Sequence, residues 1–259
     1  MATITITLRE TGKSVTATLR AAGGTSPIKL VITTEITGYT CLFIYGDVAE
    51  LKYESIVVPT YKMNVVKEGK IIASYNVTRD SWYSRGVKED GTIALSNRCF
   101  EPADEKVNLY ATVPTAYPPS AGVDAFALRQ HNSEELNAVP HTKRMQTFVN
   151  GENIDDYRKN LSIAKGVMIH IGGWFKGAEG NKLAGSYGCF GIVPKVQIST
   201  TAAEAERVRK GSLYQNYEPA NKAYKTAIKY IVGQAEGRAI QVVVEKRGKV
   251  EELRTLKNQ

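Results

Sequence analysis

The sequence predicts a mostly β fold with a few helices, and three features of this 259-residue chain point to it. Short segments rich in Thr, Val and Ile alternate polar and apolar residues, as strands with one buried face do. Turns that contain glycine separate these segments. Two stretches after residue 200 carry the capping residues or the apolar spacing that are typical of helices.

The first fifty residues are predicted to form a small β-rich region. Four alternating segments fall within it, and Gly12, Gly23-Gly24 and Gly38 separate them. They are residues 3–8, 14–19, 29–36 and 39–45. We therefore divide the chain into a β appendage over residues 1–50 and a main domain over residues 51–259.

The main domain opens with a predicted hairpin of residues 61–66 and 70–77 around Glu68-Gly69. Another strand is expected over residues 123–128. The polar stretch 130–160 is predicted as loop, with a short helix over 133–137. An apolar run over residues 166–171 then ends at two glycines, as a buried strand does when it stops at a site.

The C-terminal part predicts two helices and a closing strand. Thr201 and Glu204 have the spacing of a capping box, which predicts a helix to Lys210. Pro219 is expected to open a second helix that ends at Gly233 or Gly237. Its apolar face comprises Ala220, Ala223, Tyr224, Ala227, Ile228 and Ile231. Residues 239–244 are predicted as the last strand.

Composition and charge exclude several classes of protein. Hydrophobic residues make up 42% and charged residues 23%, which is ordinary for a soluble globular protein. No segment approaches the roughly 18 consecutive apolar residues of a membrane helix, so no membrane insertion is expected. The net charge of +8 favours an anionic partner. Because acids interleave with the basic residues, nucleic acid is not the expected partner.

Cysteine and histidine spacing predicts no disulfide framework and no zinc site, and the enzyme expected below implies no metal or organic cofactor. The three cysteines, Cys41, Cys99 and Cys189, cannot all pair, and the chain has no CxxC motif. The three histidines are not spaced with the cysteines as a zinc site requires. Cys41 lies in an apolar run and is predicted to be a small buried hydrophobic residue.

Candidate chemistry lies between His170 and Cys189. The histidine ends an apolar strand, and the chain then passes through a glycine-rich loop to a Ser186-Tyr187-Gly188-Cys189 turn. A free thiol needs a neighbouring base, and histidine supplies one near neutral pH. Consecutive backbone N–H groups in such a turn can hold the oxyanion of an acyl transfer. Alone, a buried histidine or cysteine is more often structural, but the pair together indicates function.

The order and spacing of the pair separate it from several cysteine enzymes. Papain-like enzymes place the cysteine first, and caspase-like enzymes place the histidine about 50 residues upstream. Here the histidine comes first and lies 19 positions before the cysteine. Sortases share the order, but with a much longer gap and a different sequence before the cysteine.

The segment resembles the catalytic motif of the L,D-transpeptidase (YkuD-like) family, in which a histidine precedes Ser/Thr-His-Gly-Cys by a similar gap. The resemblance implies that Cys189 is the nucleophile and His170 the base. It also implies that Ser186, Tyr187 and Gly188 form the oxyanion turn and that Trp174 contacts substrate. Residues 61–77 and 119–126 show a weaker likeness, which extends it over about residues 50–250. The implied fold is a β-sandwich catalytic domain after the small β appendage.

The chain departs from that family at two positions. Tyr187 stands where the family has histidine, and Gly191 stands where it has Arg or Asn, which removes a candidate partner for a substrate carboxylate. Four arginines are candidates to replace it, and the sequence does not choose among Arg79, Arg85, Arg98 and Arg144.

By resemblance, the expected function is L,D-transpeptidase or L,D-carboxypeptidase action on peptidoglycan stem peptides. The start of the chain lacks the basic head and apolar core of a secretory signal. Synthesis in the cytoplasm and action in the periplasm or cell wall are therefore expected. Two explanations account for an enzyme of the cell wall without a secretory signal: a trimmed start, or delivery as an antibacterial toxin by a secretion apparatus such as type VI. A delivered toxin implies a cognate immunity protein.

Two alternatives stay open. One is an inactive or weakly active module of a phage or secretion apparatus that binds cell wall or a partner. The other is a different cysteine peptidase or amidase of similar arrangement. A lowered pKa at Cys189, with faster alkylation than at Cys41 and Cys99, is expected of the enzyme and not of the module.

Overall fold

The computed structural model describes residues 2–7, 14–19, 26–46, 55–104, 106, 108–111, 115–116, 124–131, 133, 135–139, 148–149, 152–153, 163–176, 183–184, 189–211 and 218–257. Its strands are β1 (Ala2–Thr7), β2 (Ser14–Leu19), β3 (Ile28–Phe43), β4 (Tyr45–Gly46), β5 (Ser55–Lys67), β6 (Lys70–Thr78), β7 (Trp82–Val87), β8 (Thr92–Asn97), β9 (Leu109–Ala111), β10 (Thr115–Ala116), β11 (Asp124–Gln130), β12 (Glu135–Asn137), β13 (Phe148–Val149), β14 (Glu152–Asn153), β15 (Ile163–Lys165), β16 (Met168–Ile171), β17 (Phe175–Lys176), β18 (Leu183–Ala184), β19 (Phe190–Val193), β20 (Ile240–Val244) and β21 (Leu253–Lys257). The described residues also form two α-helices, α1 (Ala202–Gly211) and α2 (Glu218–Ala235), and a 3-10 helix at Lys195–Gln197. The prediction of a mostly β fold with a few helices is confirmed.

A nine-stranded sheet organises the chain, in the order β10-β11-β16-β19-β6-β5-β3-β20-β9. An additional pairing of β9 with β11 closes all of these strands except β10 into a ring. Closure leaves the paired strands without an open edge, so their backbone groups bond within the sheet. A separate four-stranded sheet has the order β21-β8-β7-β4.

Strand β3 belongs to the main sheet, although it precedes residue 50. It pairs antiparallel with β5 and parallel with β20. The predicted division at residue 50 therefore falls between two neighbouring strands of one sheet. Only β1 and β2, among the described residues before 26, form a hairpin of their own, as their alternation predicted.

Local sequence signals account for most elements. The predicted hairpin is β5 and β6, and its turn residues Glu68 and Gly69 both have positive φ, of 50° and 76°. Such values fit a two-residue hairpin turn. The helix predicted over residues 133–137 is wrong, since β12 pairs there with β15. Its exposed, buried, exposed pattern has the period of a strand.

Both C-terminal helices were predicted correctly. At the start of α1, the Glu204 N–H donates to Thr201 Oγ1 and the Thr201 N–H donates to Glu204 Oε2, which is the expected capping box. Helix α2 buries most of its predicted face in the main core, and it ends at Ala235 before the positive-φ Gly237.

Two large hydrophobic clusters lie at opposite ends of the long strands β3 and β5. The larger one, the ring core, gathers buried side chains from the strands of the ring and from α2. In the smaller one, Leu42, Ile44, Ile56 and Val58 pack against Trp82, Ile93 and Leu95 of the four-stranded sheet. The strands that carry the candidate site belong to the ring.

A group of buried charges lies where the two sheets meet. Arg79 donates from Nη2 to both carboxylate oxygens of Glu101, at 3.1 Å each. Arg247 donates from Nη1 to both oxygens of Asp80, at 2.8 and 2.9 Å, and from Nε to Glu101. Two guanidinium groups and two carboxylates thus compensate one another, as buried charges must.

Candidate active site

His170 and Cys189 lie on neighbouring strands of the ring. Strands β16 and β19 pair in parallel, with His170 opposite Gly191. Side chains of opposite residues share a face, and so do those of residues two apart on one strand. Cys189, immediately before β19, is therefore directed to the same face as His170, one diagonal step away.

The opposite face of these strands fixes the pair in place. Ile169, Ile171, Phe190 and Ile192 alternate with the site residues and are buried in the ring core. Burying a side chain of this size stabilises the fold by about 1.5–3 kcal/mol. The apolar run that predicted strand β16 therefore also anchors the strand that carries His170.

Cys189 is only 8% exposed and packs with Ala125 and Met168. Its thiol donates to the Gly166 carbonyl oxygen at 3.7 Å. Burial raises the pKa of Cys189 to about 11, and a backbone hydrogen bond at Met168 only partly offsets it. The thiol is therefore protonated at neutral pH, and the lowered pKa expected of a resting thiolate is not found.

The other two cysteines are more deeply buried. Cys41 and Cys99 are each 1% exposed, which confirms the prediction for Cys41. Burial raises the pKa of Cys41 to about 12 and that of Cys99 further. Cys189 thus has the least raised pKa of the three thiols.

His170 is partly buried, and its Nδ1 lies 2.5 Å from the carbonyl oxygen of Ile171. Since that oxygen can only accept, we assign the Nδ1–H tautomer, in which Nε2 is the basic nitrogen. Burial lowers the pKa of His170 to about 4, and the bond to Ile171 acts in the opposite direction. The imidazole is consequently neutral at neutral pH, the form that a general base requires.

The arrangement provides a neutral thiol and a neutral imidazole on one face of the sheet. Desolvation disfavours the charged form of either group, which is why both are neutral at neutral pH. In the described structure the thiol is directed to Gly166. Were Cys189 a nucleophile, its side chain would have to rotate away from Gly166 to reach a substrate.

Two glycines cross beside the pair. A Cβ on Gly191 would lie 2.6 Å from Gly172 Cα and 2.8 Å from Thr78 Oγ1. A Cβ on Gly172 would lie 2.3 Å from the Gly191 carbonyl carbon. Only glycine fits either position, because the opposing atoms are mostly backbone. The packing at Gly191 therefore leaves no space for the Arg or Asn that the resemblance leads one to expect.

We expect Gly191→Ala to lower the free energy of unfolding by about 1–3 kcal/mol, because the added methyl group overpacks the crossing. Gly233→Ala is the matched control: it lies in helix α2 with no atom within 4 Å of an added Cβ. That control should stabilise the chain by about 0.5–1 kcal/mol. Urea denaturation measures both, and a Gly191→Ala variant as stable as the wild type would contradict the crossing.

Three other predicted site residues, Ser186, Tyr187 and Gly188, lie outside the described residues. Trp174 is 3% exposed and packs with Cys41 and Phe43. Its backbone N–H donates to Gln197 Oε1 at 3.1 Å, and its carbonyl accepts from Gln197 Nε2 at 2.8 Å. The ring thus contacts protein in the interior, which does not fit the predicted contact with substrate.

Of the four arginines considered as partners for a substrate carboxylate, two are buried, and the side chains of the other two lie outside the described residues. Arg79 is fully buried with Glu101, and Arg98 is buried with its guanidinium 3.4 Å from the centre of the Tyr83 ring. Neither position suits a substrate contact. The side chain of Arg85, and all of Arg144, lie outside the described residues.

Sequence reasoning did not identify the roles of Gly166 and Gly172. Gly172-Gly173 did mark the end of the strand, but only the structure shows which backbone Gly172 meets. Among the described residues, no group of three or more His, Cys, Asp or Glu could hold a metal ion. No helix in this part of the chain is long and apolar enough to cross a membrane.

Comparisons with protein-family models, curated proteins and solved structures give no match to the chain. They therefore add nothing to the resemblance to L,D-transpeptidases, which depends on the segment from His170 to Cys189.

Proposed function

We propose that the chain is a cysteine acyl-transfer enzyme of the L,D-transpeptidase or L,D-carboxypeptidase type, with Cys189 as nucleophile and His170 as base. The observation that supports it most is the parallel register of β16 and β19, which directs both side chains to one face. The Nδ1 contact of His170 with Ile171 supports it further, since it favours the tautomer in which Nε2 is the basic nitrogen.

The proposed reaction begins when Cys189 Sγ attacks the carbonyl carbon of a substrate amide while His170 Nε2 accepts the thiol proton. The tetrahedral oxyanion is held by the backbone N–H groups of Tyr187, Gly188 and Cys189, as the resemblance implies. The C–N bond then breaks, and the protonated imidazole donates its proton to the leaving amine. A thioester remains until an amine or water takes the acyl group.

The proposed substrate is the stem peptide of peptidoglycan, cleaved between an L-centre and a terminal D-alanine. The resemblance of the His170–Cys189 segment supports this choice, and so does the net charge of +8, which suits a polymer that carries carboxylates. Action in the periplasm or cell wall, after delivery by a secretion apparatus, belongs to the same proposal. So does an immunity protein as partner.

Purified peptidoglycan incubated with the full chain tests this function. Mass spectrometry of the released muropeptides should show loss of terminal D-alanine if water is the acceptor. New L,D cross-links should form if an amine is the acceptor. Muropeptides identical to those of untreated wall, from a folded protein, would reject peptidoglycan as substrate.

A second candidate function, a module that binds the wall or a partner without turnover, is favoured by the raised pKa of Cys189. A binding module has no need of a reactive thiol, and burial of Cys189 suits a structural role. It predicts retention on peptidoglycan with unchanged muropeptides, and the same retention after Cys189→Ala.

A further inference from the structure

We infer that the outer face of helix α2 is a second binding surface, separate from the thiol, for the carboxylate-bearing polymer of the wall. The surface comprises Lys222, Lys225 and Lys229 together with Glu218, Asn221 and Thr226, which line a groove of about 440 Å³. The proposed function enters this inference only through the identity of the polymer.

The three lysines form an unbalanced positive stripe. They lie three and four positions apart, so they occupy successive turns on one side of α2. Like charges at this spacing destabilise a helix slightly. Glu218 is the only acid of α2, and none of the three lysines forms an ion pair with another described residue. An anionic ligand relieves that repulsion.

Two basic residues of helix α1, in contrast to those of α2, form ion pairs with an acid on the same helix. There Arg209 and Lys210 both pair with Glu206 on the same helix, at 2.7 and 3.7 Å. Basic residues that are paired in this way are typical of a solvated surface. The stripe on α2 differs because, among the described residues, it has three lysines and one acid, Glu218, and no ion pair joins them.

The helix presents this stripe from a fixed position. Its opposite face, with Tyr224, Ile228 and Ile231, is buried in the ring core. Near its start, Asn221 Nδ2 donates to the Lys176 carbonyl oxygen at 3.2 Å. A surface held from behind loses little conformational freedom when it binds, which favours affinity.

The residue types favour wall carboxylates over nucleic acid. The described residues of the groove include no arginine that could bind a phosphate or a guanine with two hydrogen bonds, and no aromatic ring on which a base could stack. Lysine is a compact point charge on a flexible stem. Three such charges along a groove suit single carboxylates that a flexible peptide polymer presents at variable spacing.

Co-sedimentation with purified sacculi tests the surface, with Cys189→Ala as the background so that the wall is not altered during binding. The triple variant Lys222→Gln/Lys225→Gln/Lys229→Gln should bind roughly tenfold more weakly or worse. Glutamine keeps a helix propensity close to that of lysine, so circular dichroism should be unchanged. The control Lys88→Gln/Lys195→Gln/Lys249→Gln removes the same charge from other exposed positions and should bind like the parent.

Binding should also fall in 1 M salt and with sacculi whose carboxylates are amidated, because both remove the charge attraction. Equal loss in the two triple variants would overturn the inference, since net charge alone would then explain binding. Tighter binding of a duplex DNA 20-mer than of sacculi to this face would also overturn the inference. If the wild type binds sacculi through this face but leaves their muropeptides unchanged, the proposed enzymatic function is rejected and the proposed binding surface still stands.

Discussion

Replacing Cys189 with alanine is expected to abolish any change that the chain makes to muropeptides, a loss of roughly 10³-fold or more in rate. Without Sγ no thioester forms, and no other cysteine is directed to the face of His170. Cys41→Ala is the control, because its thiol lies in a separate cluster and donates to Ala205 O of helix α1. Equal activity in wild type and Cys189→Ala would refute the assignment.

His170→Gln should lower the rate by about 10²–10⁴-fold at neutral pH, the usual contribution of a general base. The deficit should shrink as pH rises toward 11, the pKa of Cys189, because the thiolate then forms without a base. In wild type, activity should persist above pH 4 and be lost as pH falls through about 4, where His170 becomes protonated. Activity on a soluble stem tetrapeptide across pH measures both limbs.

A variant whose deficit does not change with pH would contradict the role of His170 as base. An acid limb near pH 6.5, the ordinary pKa of histidine, would contradict its burial. Variants should be compared only over the pH range in which circular dichroism shows both to be folded.

Glu101→Gln should destabilise the chain by about 3–5 kcal/mol, the expected loss when one partner of a buried ion pair is removed. Glu101 is 2% exposed and accepts from both Arg79 and Arg247, so its loss leaves two buried guanidinium groups with only the Asp80 carboxylate. Glutamine keeps one oxygen acceptor, but its NH2 group would face guanidinium donors, so a hydrogen bond to the second carboxylate oxygen is lost together with the charge.

The surface counterpart of this change is Glu206→Gln, which removes the exposed pair with Arg209. It should cost at most about 1 kcal/mol. Urea denaturation compares the two variants. A loss at Glu101 no larger than that at Glu206 would mean that the buried charge group adds nothing to stability.

Elements that depend on neighbouring residues could be predicted from the sequence. The run before His170 predicted strand β16, and the spacing of Tyr224, Ile228 and Ile231 predicted the buried face of α2. Thr201 and Glu204 predicted the start of α1. In each case the pattern repeats within a few residues, so the signal is local.

Features that join distant parts of the chain could not be predicted. The placement of β3 between β5 and β20, and the closure of β9 on β11, depend on pairings that no local pattern encodes. The ion pairs of Glu101 join residues 22 and 146 positions away.

The candidate site shows the same division. The residue types predicted that His170 and Cys189 act together, and the strand register directs them to one face. Their ionisation could not be predicted, because it depends on burial by residues such as Ala125 and Met168. Nor could the crossing of Gly172 and Gly191, which leaves no space for the side chain that the resemblance leads one to expect.

The most direct test of Cys189 as nucleophile is the mass of the intact protein after rapid mixing with a stem tetrapeptide and an acid quench. We expect a covalent adduct equal to the tetrapeptide less its terminal D-alanine, located on Cys189 by peptide mapping and removed by hydroxylamine, as a thioester is. It should be absent from Cys189→Ala. Product formation with no adduct on Cys189, or an equal adduct on Cys189→Ala, would contradict the account.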